Sequence, residues 1–361
     1  MHLTLIISSL NSGGAQRVLS NLANHWSSQG HEISLITLDN SQSLPFYPLD
    51  SNIRLFQLNK NNSESSRIKR LFSLGDRFFS LRQKITKLKP DVIISFVDIM
   101  NITTLISTLG LKIPVIVCER THPQYYKILP LYQNLRRLLY PKAKQVIVQT
   151  KSVAHYFRNL KNISIIPNAI SSPSITKKDV ESAPKHIVSV GRLCPFKGFD
   201  TLIYAFSNLH QYHPKLMLTI YGEGQERENL EKLIISLNLE DKVFLPGTIK
   251  NIQEALITSD LFIFPSHYEG FPNALCEAMA VGLPVIASNC SGNIDIVQDG
   301  IDGRLFPVGD TEALTQITID LLKDPNQRMK LAQNAKKICD RFHPDRVFDL
   351  WDQAIVKDIK K

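Results

Sequence analysis

Short apolar runs alternate with helix-period stretches along almost the whole chain, and the alternation occurs twice. In the first half the runs lie at residues 3–8, 32–38, 92–96, 115–118, 145–149 and 163–166. In the second half they lie at 186–190, 215–221, 242–245, 261–265 and 284–287. A strand that is apolar on both faces must be covered on both sides, and helices alternating with such strands supply that cover. The pattern predicts an α/β protein made of two Rossmann-like, doubly wound domains with parallel sheets, facing each other across a cleft. A length of 361 residues suits two cores better than one. Residues 168–184, NAISSPSITKKDVESAP, are rich in Ser and Pro and keep no steady apolar period. The expected division is a first domain at 1–167, a linker at 168–184, a second domain at 185–340 and a terminal helix at 341–361. Val347, Phe348, Trp351, Ile355 and Ile359 give that helix an apolar face, placed to pack back on the first domain.

Composition removes several function classes. No apolar run approaches the ~20 residues that span a bilayer. The opening MHLTLIISSL lacks a basic leader segment and reads as a first strand rather than a signal peptide. Cys118, Cys194, Cys276, Cys290 and Cys339 are scattered and form no CxxC pair. Neither a disulfide framework nor a metal site is expected, and a reducing cytoplasm is the simplest setting. A formal charge of +9 asks for an anionic partner: nucleic acid, a membrane surface or a phosphorylated substrate. No nucleic-acid motif is present and aromatic residues make up 8%, so nucleic acid is set aside.

Residues 268–280, YEGFPNALCEAMA, carry the most chemistry. They follow the apolar run LFIFP, and Gly282 and Pro284 stop the helix behind them. Glu269 falls on the strand-to-helix loop and Glu277 about two turns into the helix. Pro272 suits a first-turn position, leaving the amides of Asn273, Ala274 and Leu275 to face an anion at the positive end of the helix dipole. Gly270 and Phe271 complete the turn. The alternative is an ordinary amphipathic helix with two surface glutamates.

Other loops follow strands in the same way. Ser9 to Arg17, SLNSGGAQR, leads from the first strand into a helix, and Gly13 and Gly14 permit positive φ and close backbone approach. The spacing is not GxGxxG, which argues against a nicotinamide or flavin cofactor. VSVGRLCPFKG sets Arg192 and Lys197 at a strand end, where a guanidinium fork and an ammonium could neutralise a diphosphate. IYGEG brackets Glu223 with Gly222 and Gly224, and LPGTIKN places Thr248 and Lys250 where a nucleobase edge could be read. CERTHP brings Glu119, Arg120 and His122 to the first domain's side of the cleft. Residues 67–89, from Arg67 to Lys89, form a basic amphipathic helix. It is either a domain helix with a solvated face or a seat for an anionic membrane, and Arg136, Arg137, Lys142 and Lys144 add to the positive charge.

In this order, GGAQRV, GRLCPFKG, YGEG and EGFPNALCEAMA resemble the retaining GT-B glycosyltransferases of family 4, also called glycosyl transferases group 1. The resemblance covers nearly the whole chain. It implies a nucleotide sugar, UDP-linked, on the second domain and a glycan acceptor on the first, with no metal or other cofactor. It assigns catalysis to Glu269, Arg192 and Lys197. The donor falls to Gly13, Gly14, Gly222, Gly224, Thr248, Lys250, Gly270, Phe271, Pro272, Asn273, Ala274, Leu275 and Glu277. Arg17, Glu119, Arg120 and His122 take the acceptor. Pro272 stands where the family's usual EGFG has its second glycine. The opening GGAQR, SFVD and CERTHP are similar to bacterial enzymes that extend polyprenyl-diphosphate-linked or surface-polysaccharide glycans, which places the chain on the inner face of the cytoplasmic membrane. Two other functions fit the same architecture: a nucleotide-sugar epimerase, and a non-catalytic, membrane-associated nucleotide-sugar-binding protein.

Overall fold

The computed structural model describes residues 1–40, 43–60, 67–126, 128–174, 184–249 and 251–356, with side chains from residue 75 onward in the helix that begins at Arg67. The chain divides into two compact units: Met1–Asn168 together with Asp345–Lys361, and Ala169–Pro344. Each is a parallel sheet flanked by helices.

The first unit contains β1 (His2–Ile6), β2 (Glu32–Thr37), β3 (Arg54–Gln57), β4 (Val92–Phe96), β5 (Val115–Cys118), β6 (Gln145–Val148) and β7 (Ile163–Ile165). Its helices are α1 (Gly14–Ser28), α2 (Arg67–Leu88), α3 (Asp98–Ser107), α4 (Pro130–Leu139) and α5 (Lys151–Tyr156). The second unit holds β8 (His186–Val190), β9 (Met217–Tyr221), β10 (Val243–Gly247), β11 (Leu261–Phe264), β12 (Val285–Ser288) and β13 (Arg304–Phe306). Around them lie α6 (Phe199–Tyr212), α7 (Arg227–Ser236), α8 (Ile252–Ile257), α9 (Asn273–Ala280), α10 (Thr311–Lys323), α11 (Pro325–Ala335) and α12 (Ile338–Arg341). The last helix, α13 (Pro344–Val356), returns to the first unit.

Sheet order is β3-β2-β1-β4-β5-β6-β7 in the first unit and β10-β9-β8-β11-β12-β13 in the second. All the pairings are parallel, as both-face apolar strands require. In each sheet the order reverses once, between β1 and β4 and between β8 and β11. Loops leaving the carboxyl ends of strands on either side of such a reversal diverge, opening a crevice for a ligand. Two strands lack a counterpart among the runs read from sequence, β3 and β13. Each lies at a sheet edge and is short, and no side chain of β3 is fully buried.

The terminal helix is held by aromatic burial. Trp351 is 1% exposed and sits edge-on to Trp26 at 6.2 Å and stacked on Phe96 at 6.1 Å. Asp352 accepts the indole N–H of Trp26 at 2.7 Å, satisfying a buried donor. The second unit begins within the Ser- and Pro-rich segment. Ile170 is buried there, and its N–H donates to the carbonyl of Phe342 at 2.9 Å. Residues 175–183 of the expected linker lie outside the described residues. All five cysteines are buried and none is in a disulfide.

Candidate active site

In the second unit four adjacent strands, β10, β9, β8 and β11, deliver their loops side by side. After β8 the chain passes Gly191 and Arg192, makes a tight turn at Pro195–Lys197 and enters α6 through Gly198. Gly198 has φ +64, and a Cβ there would run into the carbonyl oxygen of Pro265. Only glycine allows the β8 and β11 loops to approach that closely. His267 N–H then donates to the carbonyl of Phe196 at 2.8 Å, tying the two loops together.

This contact brings Lys197 to Glu269. The ammonium donates to the carboxylate Oε1 at 2.6 Å, with the two side chains only 14% and 11% exposed. Lys197 also stands over the Phe264 ring, 4.8 Å from its centre. The pair spans the reversal between β8 and β11, where the crevice is expected. Glu269 is fixed from behind: its N–H donates to the carbonyl of Ser291 at 3.0 Å, and Gly292 packs against its backbone.

The β9 loop supports the β8 loop from the other side. Gly222 has φ +149, and a Cβ there would overlap the carbonyl oxygen of Gly191. A Cβ on Gly224 would overlap that of Leu193, whose N–H donates to the carbonyl of Glu223 at 2.9 Å. Gly222 N–H in turn donates to the carbonyl of Gly247, next to Thr248, at 2.9 Å. Gly222 and Gly224 thus shape the loop that presents Arg192, which is exposed. Thr248 is exposed at the same edge, and Lys250 lies outside the described residues.

The helix behind Glu269 differs in detail from the sequence expectation. Pro272 occupies the N-cap rather than the first helical position, and Asn273 begins α9. Glu277 therefore stands about one turn into the helix, not two. The Asn273 N–H is taken by the carbonyl of Phe271 at 3.0 Å, closing a tight turn, so it does not face outward. The amides of Ala274 and Leu275 belong to the open first turn, and no side chain caps them. Gly270, Phe271 and Pro272 are buried, with Phe271 edge-on to Phe342 at 5.5 Å.

In the first unit, Gly13 and Gly14 lie at the start of α1, after β1. Neither uses the positive φ expected of it: Gly13 has φ 168, which is extended backbone, and Gly14 is already helical. Arg17 is half-buried one turn in, its N–H on the Gly13 carbonyl at 3.0 Å. Glu119, Arg120 and His122 follow β5, but they are not a displayed row. Glu119 is 1% exposed; its Oε1 accepts the Tyr140 hydroxyl, with Arg136 3.7 Å away. Arg120 stacks over Phe96 at 4.7 Å and donates to Asn168 Oδ1 at 3.0 Å. His122 is 3% exposed, its ring 4.9 Å from that of Tyr125. Burial pushes Glu119 up to about 7; Arg136 opposes the rise and Asp98 adds to it. A carboxyl so enclosed is not displayed for direct contact with a ligand.

Two residues at the end of β4, Val97 and Asp98, were not singled out as site candidates from the sequence. Val97 has φ +76, a region a β-branched residue occupies only under strain, at the end of β4 beside the sheet reversal. Asp98 is 3% exposed, and desolvation raises its pKa. The one sequence signal was SFVD directly after an apolar run.

The description Glycosyltransferase Family 4 matches residues 12–172, and Glycosyl transferases group 1 matches 173–338. The chain belongs to this glycosyltransferase family. Over 361 residues, 99% of both chains, it is 29% identical to a GalNAc-alpha-(1->4)-GalNAc-alpha-(1->3)-diNAcBac-PP-undecaprenol alpha-1,4-N-acetyl-D-galactosaminyltransferase of Campylobacter jejuni. Its fold is similar to sucrose-phosphate synthase from Thermosynechococcus elongatus, with a TM-score of 0.85, 19% identity and coverage of 98% and 97% of the two chains. It is also similar to HepE of Anabaena, solved with UDP and glucose, at a TM-score of 0.78, 18% identity and 98% coverage of each chain. These likenesses identify the two-Rossmann, GT-B class of fold. The family supports glycosyltransferase activity on lipid-linked glycan or polysaccharide precursors.

Proposed function

We propose that this glycosyltransferase moves a hexose or N-acetylhexosamine from a UDP-sugar to a polyprenyl-diphosphate-linked glycan, with retention and without a metal, at the inner face of the cytoplasmic membrane. The observation that carries this reading is the Lys197–Glu269 pair at the β8/β11 reversal, beside the open first turn of α9. Lys197 and Arg192 offset charge on the departing diphosphate, and the amides of Ala274 and Leu275 add partial positive charge. Glu269 lies beside the reacting carbon, orients Lys197 and accepts from sugar hydroxyls. Glu277 reads the ribose. In the reaction the bond from the anomeric carbon to the phosphate oxygen breaks and the acceptor oxygen bonds to the same face. The acceptor's proton passes to the leaving phosphate, so no enzyme nucleophile is needed.

The similarity to a relative named for an undecaprenol-diphosphate substrate supports the acceptor class, and a fold neighbour solved with UDP supports the nucleobase. The test is a panel of nucleotide sugars incubated with membrane lipid extract, reading nucleotide release together with glycolipid mass. Coupled UDP release and a one-sugar mass gain are expected. Release without a mass gain in any lipid, or a trapped covalent glycosyl-enzyme, sinks the acceptor or the mechanism respectively.

A further inference from the structure

We propose that the face of the first unit running from Tyr125 through α4 to Lys142 is a docking surface for an anionic lipid bilayer. The proposal rests on the lipid-linked acceptor reading above and names the surface that serves it. The starting observation is that α4, whose packed face sends Tyr132, Leu135 and Leu139 into the core, also carries leucines on its outer face. Its buried positions include an arginine, Arg136 at 3% exposure, while Leu131 and Leu138 stand 63% and 61% exposed. Leu129, just before the helix, is 68% exposed, and Tyr125 and Tyr126 are 42% and 44% exposed. A helix that serves only its own core normally keeps its outer face polar.

Arg136 has a reason to be inside. Its guanidinium is 3.7 Å from the Glu119 carboxylate and lies 5.8 and 5.6 Å from the Tyr156 and Phe157 ring centres. With that inner face fixed, Leu131 and Leu138, seven residues apart, fall together on the outer face. Among the described residues, neither leucine joins the unit's core.

Charge identifies the occupant. From Arg120 to Ser174 the sequence holds nine lysines and arginines and no aspartate or glutamate. At the chain's own rate, 33 acidic residues in 361, a stretch of that length would hold about five. The leucines are thus flanked by exposed Arg137 and Lys142, in a stretch of sequence with no acidic residue to repel a phosphate surface. Leucine tips, tyrosines and cations without acids form the pattern of a helix lying in the headgroup layer. At ten residues α4 is about 15 Å long, enough to lie in the interface and too short to cross it. Helix α2, the basic segment legible in the sequence, has part of its charge occupied internally. Arg82 donates to the carbonyls of Ser107 and Leu109 at 2.8 Å each, and Lys84 sits over the Phe56 ring at 4.0 Å.

The experiment is co-sedimentation of the full chain with phosphatidylcholine vesicles, with and without phosphatidylglycerol, at physiological ionic strength. Wild type should bind the anionic vesicles. Leu131→Ser with Leu138→Ser should weaken binding by about tenfold per leucine. Arg137→Ala with Lys142→Ala should cost about fivefold per cation, and the loss should shrink in high salt. All four side chains are exposed, so circular dichroism and transfer to a short-chain, water-soluble acceptor should stay at wild-type levels. Wild-type vesicle binding in the leucine variant overturns the proposal. So does an equal or larger loss in Lys84→Ala with Lys87→Ala on α2. A dimer that the leucine variant dissolves, with vesicle binding unchanged, assigns the face to a second copy and also overturns it. Loss of vesicle binding in the leucine variant, with no lipid in the extract ever gaining a sugar, leaves the surface standing and sinks the acceptor reading.

Discussion

Replacing Glu119 by glutamine tests the physics of the first unit's buried network. The wild-type carboxyl lies 1% exposed beneath the loop that carries Arg120 and His122. It accepts from the Tyr140 hydroxyl, stands 3.7 Å from Arg136, and its Oε2 has no hydrogen-bond partner among the described residues. Burial raises its pKa from 4.5 to about 7. Below pH 4.5 both the folded and unfolded chains hold the proton, and the site carries no penalty. As pH rises the unfolded chain releases its proton first, so the folded state binds more protons and stability falls with pH. The penalty levels off above about pH 7 at about 3 kcal/mol, from 1.36 kcal/mol per unit. At pH 5 it is about 1 kcal/mol and at pH 8 about 3 kcal/mol.

Glutamine is neutral at every pH and still offers Tyr140 an acceptor, so the Glu119→Gln chain lacks this slope. Its stability relative to wild type should improve by about 2 kcal/mol between pH 5 and pH 8. The chain supplies its own probe. Its two tryptophans, Trp26 and Trp351, are both buried in the first unit, at 0% and 1% exposure. Urea unfolding followed by tryptophan emission therefore reports this unit and not the other. A stability difference that does not change between pH 5 and pH 8 refutes the argument, because it would mean that the folded carboxyl ionises as readily as the unfolded one.

Three further outcomes follow from the geometry. Gly222→Ala should cut nucleotide-sugar turnover at least about tenfold and lower the second unit's melting temperature. It forces a side chain into a conformation costing about 1–3 kcal/mol and into the Gly191 carbonyl; near-wild-type turnover would show that the β8 and β9 loops do not need their close approach. Lys197→Ala and Glu269→Ala should each lower kcat/KM by about 10²–10³, and the double variant should lose far less than the product of the two. Multiplicative losses would mean that the two groups act separately. Asp352→Ala should destabilise the first unit by about 1–3 kcal/mol, by stranding the Trp26 indole N–H, as read in the same tryptophan-detected urea titration. An unchanged midpoint would show that this N–H finds another acceptor.

Where the sequence was legible, one element carried the whole signal. β4, β5 and β11 are buried at every position and β8 at its three central ones, so nearly every residue of these strands reports the same environment. Edge position alone does not hide a strand, since the edge strands β7 and β10 were legible; β3 (RLFQ) and β13 (RLF) each hold only two apolar residues, too few to make a pattern. The Lys197–Glu269 pair could be suspected because both loops follow strands of that readable kind. The register of α9 could not be read, because it depends on the Asn273 N–H turning to the Phe271 carbonyl, a contact that no residue preference announces.

Glu119 and Arg136 show why the remaining site residues were misplaced. Read along the chain, each is a charged residue, one on a loop and one on a basic helix, and solvent is the default place for both. Burying either alone would cost several kcal/mol. The burial is permitted because Tyr140, twenty-one residues beyond Glu119, arrives to donate its hydroxyl, and because Tyr156 and Phe157 bring their rings to the guanidinium. The cost of burying Glu119 therefore depends on partners from three separate segments, which a local reading cannot add up. The packed face of α4, which Arg136 shares with Tyr132, Leu135 and Leu139, leaves Leu131 and Leu138 on the outer side. Removing the inner partner should therefore loosen the outer face, and Glu119→Leu, unlike Glu119→Gln, should weaken vesicle binding along with the unit's stability.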